Sequence, residues 1–263
     1  ARILKRTGKR MFIARTAREL LEKYDLAEDP ADPHLMIQEY IPGGDDTVWM
    51  FNGYFDQSSE CLVGFTGKKI RQCPIFTGST SLGICLRNQR LEEVTRRFMK
   101  AVHYRGILDI GYRYDARDCR YKVLDVNPRI GATFRLFVGE RGVDVARALY
   151  LDLTGGSVPR DSLRDGRKWL VEDLDLVSCV RYFGRGAITA RQWFTSFHGI
   201  EELGYFATDD LLPVLTMIVS RTADLFKRID KRRRRIVGLH PGRRSALDAD
   251  TADYTLRGKS GTN

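Results

Sequence analysis

Apolar and polar positions alternate in short runs through the first half of the chain and then take up helical spacing. Met11-Phe12-Ile13-Ala14 predicts a short strand. Thr16 predicts a helix N-cap for Arg18–Tyr24, where Leu20, Leu21 and Tyr24 recur at helical intervals. After the turn sequence Asp29-Pro30-Ala31-Asp32-Pro33, strands are predicted at Leu35–Ile41, Val48–Phe55, Cys61–Lys68 and Arg71–Phe76. Leu91–Tyr104 reads as a helix with Val94, Phe98, Met99 and Val102 on one side. Two more alternating runs follow, Ile107–Tyr112 and Tyr121–Asn127, separated by the turn residues Asp115–Cys119. Arg141–Leu153 predicts a helix closed by Gly155-Gly156. Helices are then expected at Asp173–Phe183, Ala190–His198 and Thr208–Lys231, with few strands among them. No internal repeat is visible. The pattern is an α+β block, then a helical extension, then a tail.

Charge changes this picture mainly at one end. The 263 residues carry 44 Lys and Arg against 34 Asp and Glu, a formal charge of +10. Lys231 to Asn263 holds nine of those bases against three acids. Arg232 to Arg235 suit the phosphates of a nucleic acid or an acidic membrane surface, and equally a solvated helix end before a disordered tail. The longest uncharged apolar stretch, Leu211–Val219, is far short of the roughly 20 residues of a membrane span. The N-terminus lacks the apolar core of a signal peptide and has no initiator Met, so a fragment of a longer cytoplasmic protein is expected. Five cysteines at 61, 73, 85, 119 and 179 show no C-x-x-C pairing, as in a reduced compartment, and no His lies near them at zinc-ligand spacing.

The chemistry-bearing segment runs from Gly106 to Arg129. A hairpin symmetric about Arg117 sets Asp109 directly opposite Asp125, with Asn127 on the same side as Asp125. Opposed carboxylates repel by up to about 1 kcal/mol. A divalent cation relieves that repulsion, and three oxygen ligands without His or Cys select Mg²⁺ or Mn²⁺, which commonly shares a nucleotide's phosphates. The same spacing suits two unrelated acids on an exposed strand. Arg129, on the strand-end side, carries a planar fork for phosphate or carboxylate oxygens. Thr77–Gly83 reads as a polar loop able to touch phosphate or acceptor, or as a plain connection. Lys69 and Arg71 precede it, facing either a triphosphate or solvent.

Asp125-Val126-Asn127-Pro128-Arg129, preceded by Asp109 on the neighbouring strand, resembles the Mg²⁺ motif of the ATP-grasp superfamily, and in particular its carboxylate–amine ligases of the D-aspartate ligase type and the carbamoyl-phosphate synthetase large subunit. Asp125 stands where many members have Glu. Met36 through Asp46 resembles the segment between the two ATP-grasp lobes. The resemblance covers roughly residues 10 to 155. It implies an ATP-grasp fold, mainly its C-terminal antiparallel-sheet lobe, over 35–155. Residues 1–34 are then a remnant of the N-terminal lobe, 156–230 a helical extension and 231–263 a basic disordered tail.

The implied activity is an ATP-dependent ligase joining a carboxylic acid to an amine through an acyl phosphate. Asp109, Asp125 and Asn127 would hold Mg²⁺, Arg129 would act on the transferred phosphoryl group, and ATP would meet Gln38, Glu39, Ile41, Asp46, Lys69, Arg71 and Leu124. The implied partners are small-molecule acid and amine substrates, with no membrane, nucleic acid not favoured, and a homo-oligomer compatible. A lobe that binds nucleotide without turnover, or a nucleic-acid binder acting through the basic tail, are the alternatives.

Overall fold

A computed structural model describes residues 2–9 and 11–237. The described chain forms two units, Ala1–Gly204 and Tyr205–Asn263. The first opens with helices α1 (Arg2–Thr7) and α2 (Ala17–Ala27). Thr16 caps α2 by accepting from the Glu19 amide at 3.1 Å, as its sequence predicts. Strands β1 (Val48–Phe55), β2 (Cys61–Cys73) and β3 (Ser79–Cys85) lead to α3 (Gln89–Ala101), then β4 (Gly106–Asp115) and β5 (Arg120–Asn127). There follow α4 (Val145–Leu153), β6 (Lys168–Leu170), α5 (Glu172–Gly184), α6 (Ala190–Ser196) and β7 (Ile200–Leu203). The second unit contains α7 (Leu212–Val237).

The architecture is α+β. Seven strands form one sheet in the order β5-β4-β1-β2-β3-β6-β7, antiparallel except where β7 joins β6. Alternation sorts the two faces of its centre. Phe51, Phe55, Leu108, Ile110 and Tyr112 project to one side and form a core with Leu91 and Met99 of α3. Burying each such side chain is worth about 1.5–3 kcal/mol. The other side carries Tyr54, whose hydroxyl donates to Asp152 on α4 at 2.6 Å, and it carries the polar groups described below.

Several expectations are corrected. Leu35–Ile41 joins no strand among the described residues and is irregular, with Met36 and Ile37 exposed; alternation without a partner strand makes no ladder. Met11–Ala14 is likewise irregular. The runs at 61–68 and 71–76 merge into one strand, β2, because bulges around Arg71 absorb the break in pattern, but the strand ends at Cys73 and residues 74–76 form a turn. The expected loop at 77–83 is mostly β3, held between β2 and β6. Residues 156–203 are not purely helical, since they supply β6 and β7 to the same sheet. Helix α7 runs through Lys231 to Val237, so the start of the expected tail is helical. Its remainder, 238–263, lies outside the described residues.

Candidate functional site

The face opposite α3 is built in rows across four strands. Phe65, Asn52, Asp109 and Asn127 are in register in one row, and Gly67, Met50, Gly111 and Asp125 in the next. Asp109 therefore pairs with Asn127, not with Asp125 as the symmetric hairpin predicted. Two causes add up. The turn has four residues, so Asp115 pairs with Arg120, and Leu124 is an extra bulge residue between Val123 and Asp125. The net slip is two residues, which keeps the side chains on the same face. Asp109 and Asp125 become diagonal neighbours, about 7–8 Å apart at this spacing.

The turn is organised by Asp115, which is fully buried. Its carboxylate accepts from the Arg117 amide at 3.0 Å and from the Arg117 guanidinium at 2.6 Å, and pairs with Lys122 at 2.9 Å. Hydrogen bonds from Arg117 and then Lys122 hold Asp115 well below the usual carboxylate range.

Glycines make room for both site carboxylates. A Cβ on Gly111 would stand 2.4 Å from Asp125 Oδ1, and one on Gly131 would stand 2.1 Å from Asp109 Oδ2 and 2.8 Å from Asp109 Cβ. The chain after β5 thus folds back over Asp109 through Pro128, Arg129 and Ile130, with the Arg129 amide donating to the Asn127 carbonyl at 2.8 Å. Asn127 Nδ2 donates to Asp125 Oδ2 at 2.7 Å.

Burial, then the charge of Asp125, pushes the Asp109 carboxyl up to about 6, against the pull of Lys69 and Arg129. Lys69 is lowered by its own burial while Asp125, Asp109 and Asp45 raise it. Its ammonium donates to the Gly78 carbonyl at 3.0 Å.

Asn52 is the residue sequence reasoning missed. It is wholly buried beside Asp109, and neither its amide nitrogen nor its oxygen has a well-formed hydrogen bond. Such an orphan costs about 1–3 kcal/mol. The available signal was one amide within the otherwise apolar β1 run Val-Trp-Met-Phe-Asn-Gly-Tyr-Phe. Among the described residues no three His, Cys, Asp or Glu cluster as metal ligands. The donors here are two carboxylates and two amides, a hard-oxygen set suited to Mg²⁺. The orphaned Asn52 and the two glycine cradles fit such an ion.

The remaining predicted residues fall into two groups. Gln38 lies against the bulge, its Nε2 donating to the carbonyls of Val123 at 3.2 Å and Leu124 at 3.3 Å. Leu124 lies on the site face, since a Cβ on Gly111 would meet both it and Asp125. The buried Arg113 donates to the carbonyls of Ile41 at 3.2 Å and Gly43 at 2.9 Å, tying that segment to β4. Ile41, expected to meet ATP, thus has its carbonyl already accepting from Arg113. Glu39 is exposed and pairs with Arg117 at 2.6 Å. Asp46 is exposed in a short 3₁₀ turn, while its neighbour Asp45 is drawn inward by bonds from Gln72 and Tyr182.

Arg71 does not belong with this group. Lys69 pairs with Gly83 but Arg71 with Leu82, so the bulge at Ile70 turns Arg71 to the opposite side. There it makes a bidentate pair with Asp175, 2.7 and 2.9 Å, and donates to Ser196 at 2.7 Å. It is buried to 3% exposure.

No family model matches the chain. A D-aspartate ligase of Enterococcus faecium (strain Aus0004) is 25% identical over 146 residues. This chain resembles the ATP-grasp carboxylate–amine ligases. The match spans 53% of the chain and 34% of the relative, so about a third of that protein's length is represented. Among solved structures, N5-carboxyaminoimidazole ribonucleotide synthetase of Thermus thermophilus aligns with a TM-score of 0.43 and 14% identity, over 57% of this chain and 41% of that one. The L-amino acid ligase of Bacillus licheniformis aligns at 0.32 with 16% identity, over 41% and 29%.

Proposed function

We propose that this chain carries the Mg²⁺-ATP half-site of an ATP-grasp ligase that joins a carboxylic acid to an amine. The observation that carries the reading is the joint placement of Asn52, Asp109, Asp125, Asn127 and Lys69 on one sheet face, together with the likeness to D-aspartate ligase. In this reading residues 35–155 are the C-terminal lobe, residues 1–34 the end of the preceding lobe, and the sheet is extended by residues 156–203.

Asp109, Asp125 and Asn127 would hold the cation, with Asn52 beneath it. The bound Mg²⁺ would offset charge on the transferred phosphoryl oxygens. Lys69 places a buried positive charge among the acids, where low polarity strengthens its pull on phosphate. Arg129, exposed beside Asp109, offers a bidentate fork to the same oxygens. Gln38 and Arg113 hold the segment before β1 against β4 and β5, where adenine would lie on Leu124. A substrate carboxylate attacks the γ-phosphorus, and ADP leaves. The amine then attacks the acyl phosphate carbon, releasing phosphate and a proton. No side-chain nucleophile is needed.

Thermal melts with Mg²⁺-ATP test the site. Ligand at a hundred times its Kd stabilises by about 2.7 kcal/mol, roughly 5–10 °C for a unit of this size. Asp125→Asn and Asn127→Ala are expected to lose most of that shift. An equal shift in wild type and Asp125→Asn refutes the site. Phosphate release on adding acid and amine separates a ligase from a lobe that binds nucleotide without turnover.

A further inference from the structure

Helix α7 is left unexplained by the ligase reading. It is 26 residues long, about 39 Å at 1.5 Å per residue. Its start is set by Asp210, whose carboxylate accepts from the Leu212 amide at 3.1 Å, and by Pro213 in the first turn. Leu212, Leu215, Ile218, Val219 and Phe226 recur at three- and four-residue intervals and fall on one side of the helix. All are exposed, Leu212 to 66%, Val219 to 66% and Phe226 to 71%. Thr222 lies within this side, and its hydroxyl donates to the carbonyls of Ile218 at 3.0 Å and Val219 at 2.8 Å. Its polar group is therefore satisfied inside the helix and tolerates an apolar surrounding.

The other side carries Thr216, Ser220, Asp224 and Lys227, all exposed. Over the whole helix eight Lys and Arg stand against two Asp, and the bases gather toward the C-terminal end. Among the described residues no helix is long and apolar enough to cross a membrane.

We propose that α7 lies flat on an anionic lipid surface, its Leu212–Phe226 side sunk at the headgroup boundary and its basic residues on the lipid phosphates. A broad apolar side joined to an excess of bases, with modest mean hydropathy, is the signature of an interfacial helix. The two features discriminate among occupants. A second copy of the helix would bring eight more bases against the first, and like charges repel. A nucleic acid would use the bases but leave the apolar side in water. An anionic bilayer satisfies both at once. The sequence reading weighed an acidic membrane surface for Arg232 to Arg235 but expected no membrane partner, because a basic run alone equally suits a solvated helix end.

The test is co-sedimentation of the full chain with vesicles of phosphatidylcholine, alone or with about 30 mol% phosphatidylglycerol. Binding is expected to the mixed vesicles only, and to fall as NaCl rises from about 50 to 500 mM. Replacing Leu215, Val219 and Phe226 together by Ser is expected to weaken it at least about a hundredfold. Replacing Arg232 to Arg235 by Gln is expected to weaken it about fivefold per charge. Far-UV circular dichroism and melting of both variants check that each is folded. Equal binding to both vesicle types, or an undiminished triple Ser variant, overturns the proposal. So does lipid-free self-association that the triple Ser variant abolishes, or duplex DNA binding that outcompetes the vesicles.

Discussion

Replacing Arg71 by Met tests the most consequential departure from the sequence-based expectation, which put that residue on ATP phosphate. Asp175 is 2% exposed. Besides Arg71 it is held by Ser81 at 3.2 Å and by the Trp193 indole at 3.2 Å. Removing the guanidinium strands this buried carboxylate. Breaking a buried pair on one side costs about 3–5 kcal/mol. At roughly 2–4 °C per kcal/mol for a unit of about 200 residues, the melting temperature falls by about 6–20 °C. Replacing both partners, Arg71→Met with Asp175→Leu, removes the stranded charge and is expected to recover all but about 1–2 kcal/mol. That remainder reflects the lost acceptor of Ser81 and Trp193. Melts followed by circular dichroism supply the numbers, and the Mg²⁺-ATP shift of the double variant is expected to match wild type. A single variant that melts normally but loses its nucleotide shift refutes this reasoning and restores Arg71 to the phosphates.

Asp109, raised to about 6, contributes stability that is present below about pH 4 and lost as pH rises through 6, up to about 3 kcal/mol. The melting temperature of the metal-free protein should therefore fall between about pH 4 and 7, and Asp109→Asn should flatten that slope; a flat wild-type profile contradicts the burial of this carboxyl. Asn52→Leu removes an orphaned amide and should stabilise the metal-free protein by about 1–3 kcal/mol in urea unfolding while reducing its response to Mg²⁺-ATP. A destabilised Asn52→Leu would mean that the amide is satisfied in the apo state.

How much was legible in the sequence follows the range of each interaction. Alternation was enough to place Asp125 and Asn127 on one face, because side-chain sidedness is a property of a single strand, whereas Asp109 shares that face only because the slip is two residues. β1, α3 and the Thr16 cap were likewise readable from neighbours a few residues apart. The register was not, since one turn residue and one bulge at Leu124 moved Asp109 from Asp125 to Asn127. Nor was the fate of Arg71, whose partner lies 104 residues further on, or the burial of Asn52 beneath the carboxylates. Leu35–Ile41 has a strand's pattern and no strand among the described residues to pair with, while Thr77–Gly83 has a loop's composition and from Ser79 becomes a strand between two others. Local pattern determines which way a side chain points. Only the packed sheet decides what it meets there, because pairing energy belongs to two segments at once and neither one encodes its partner.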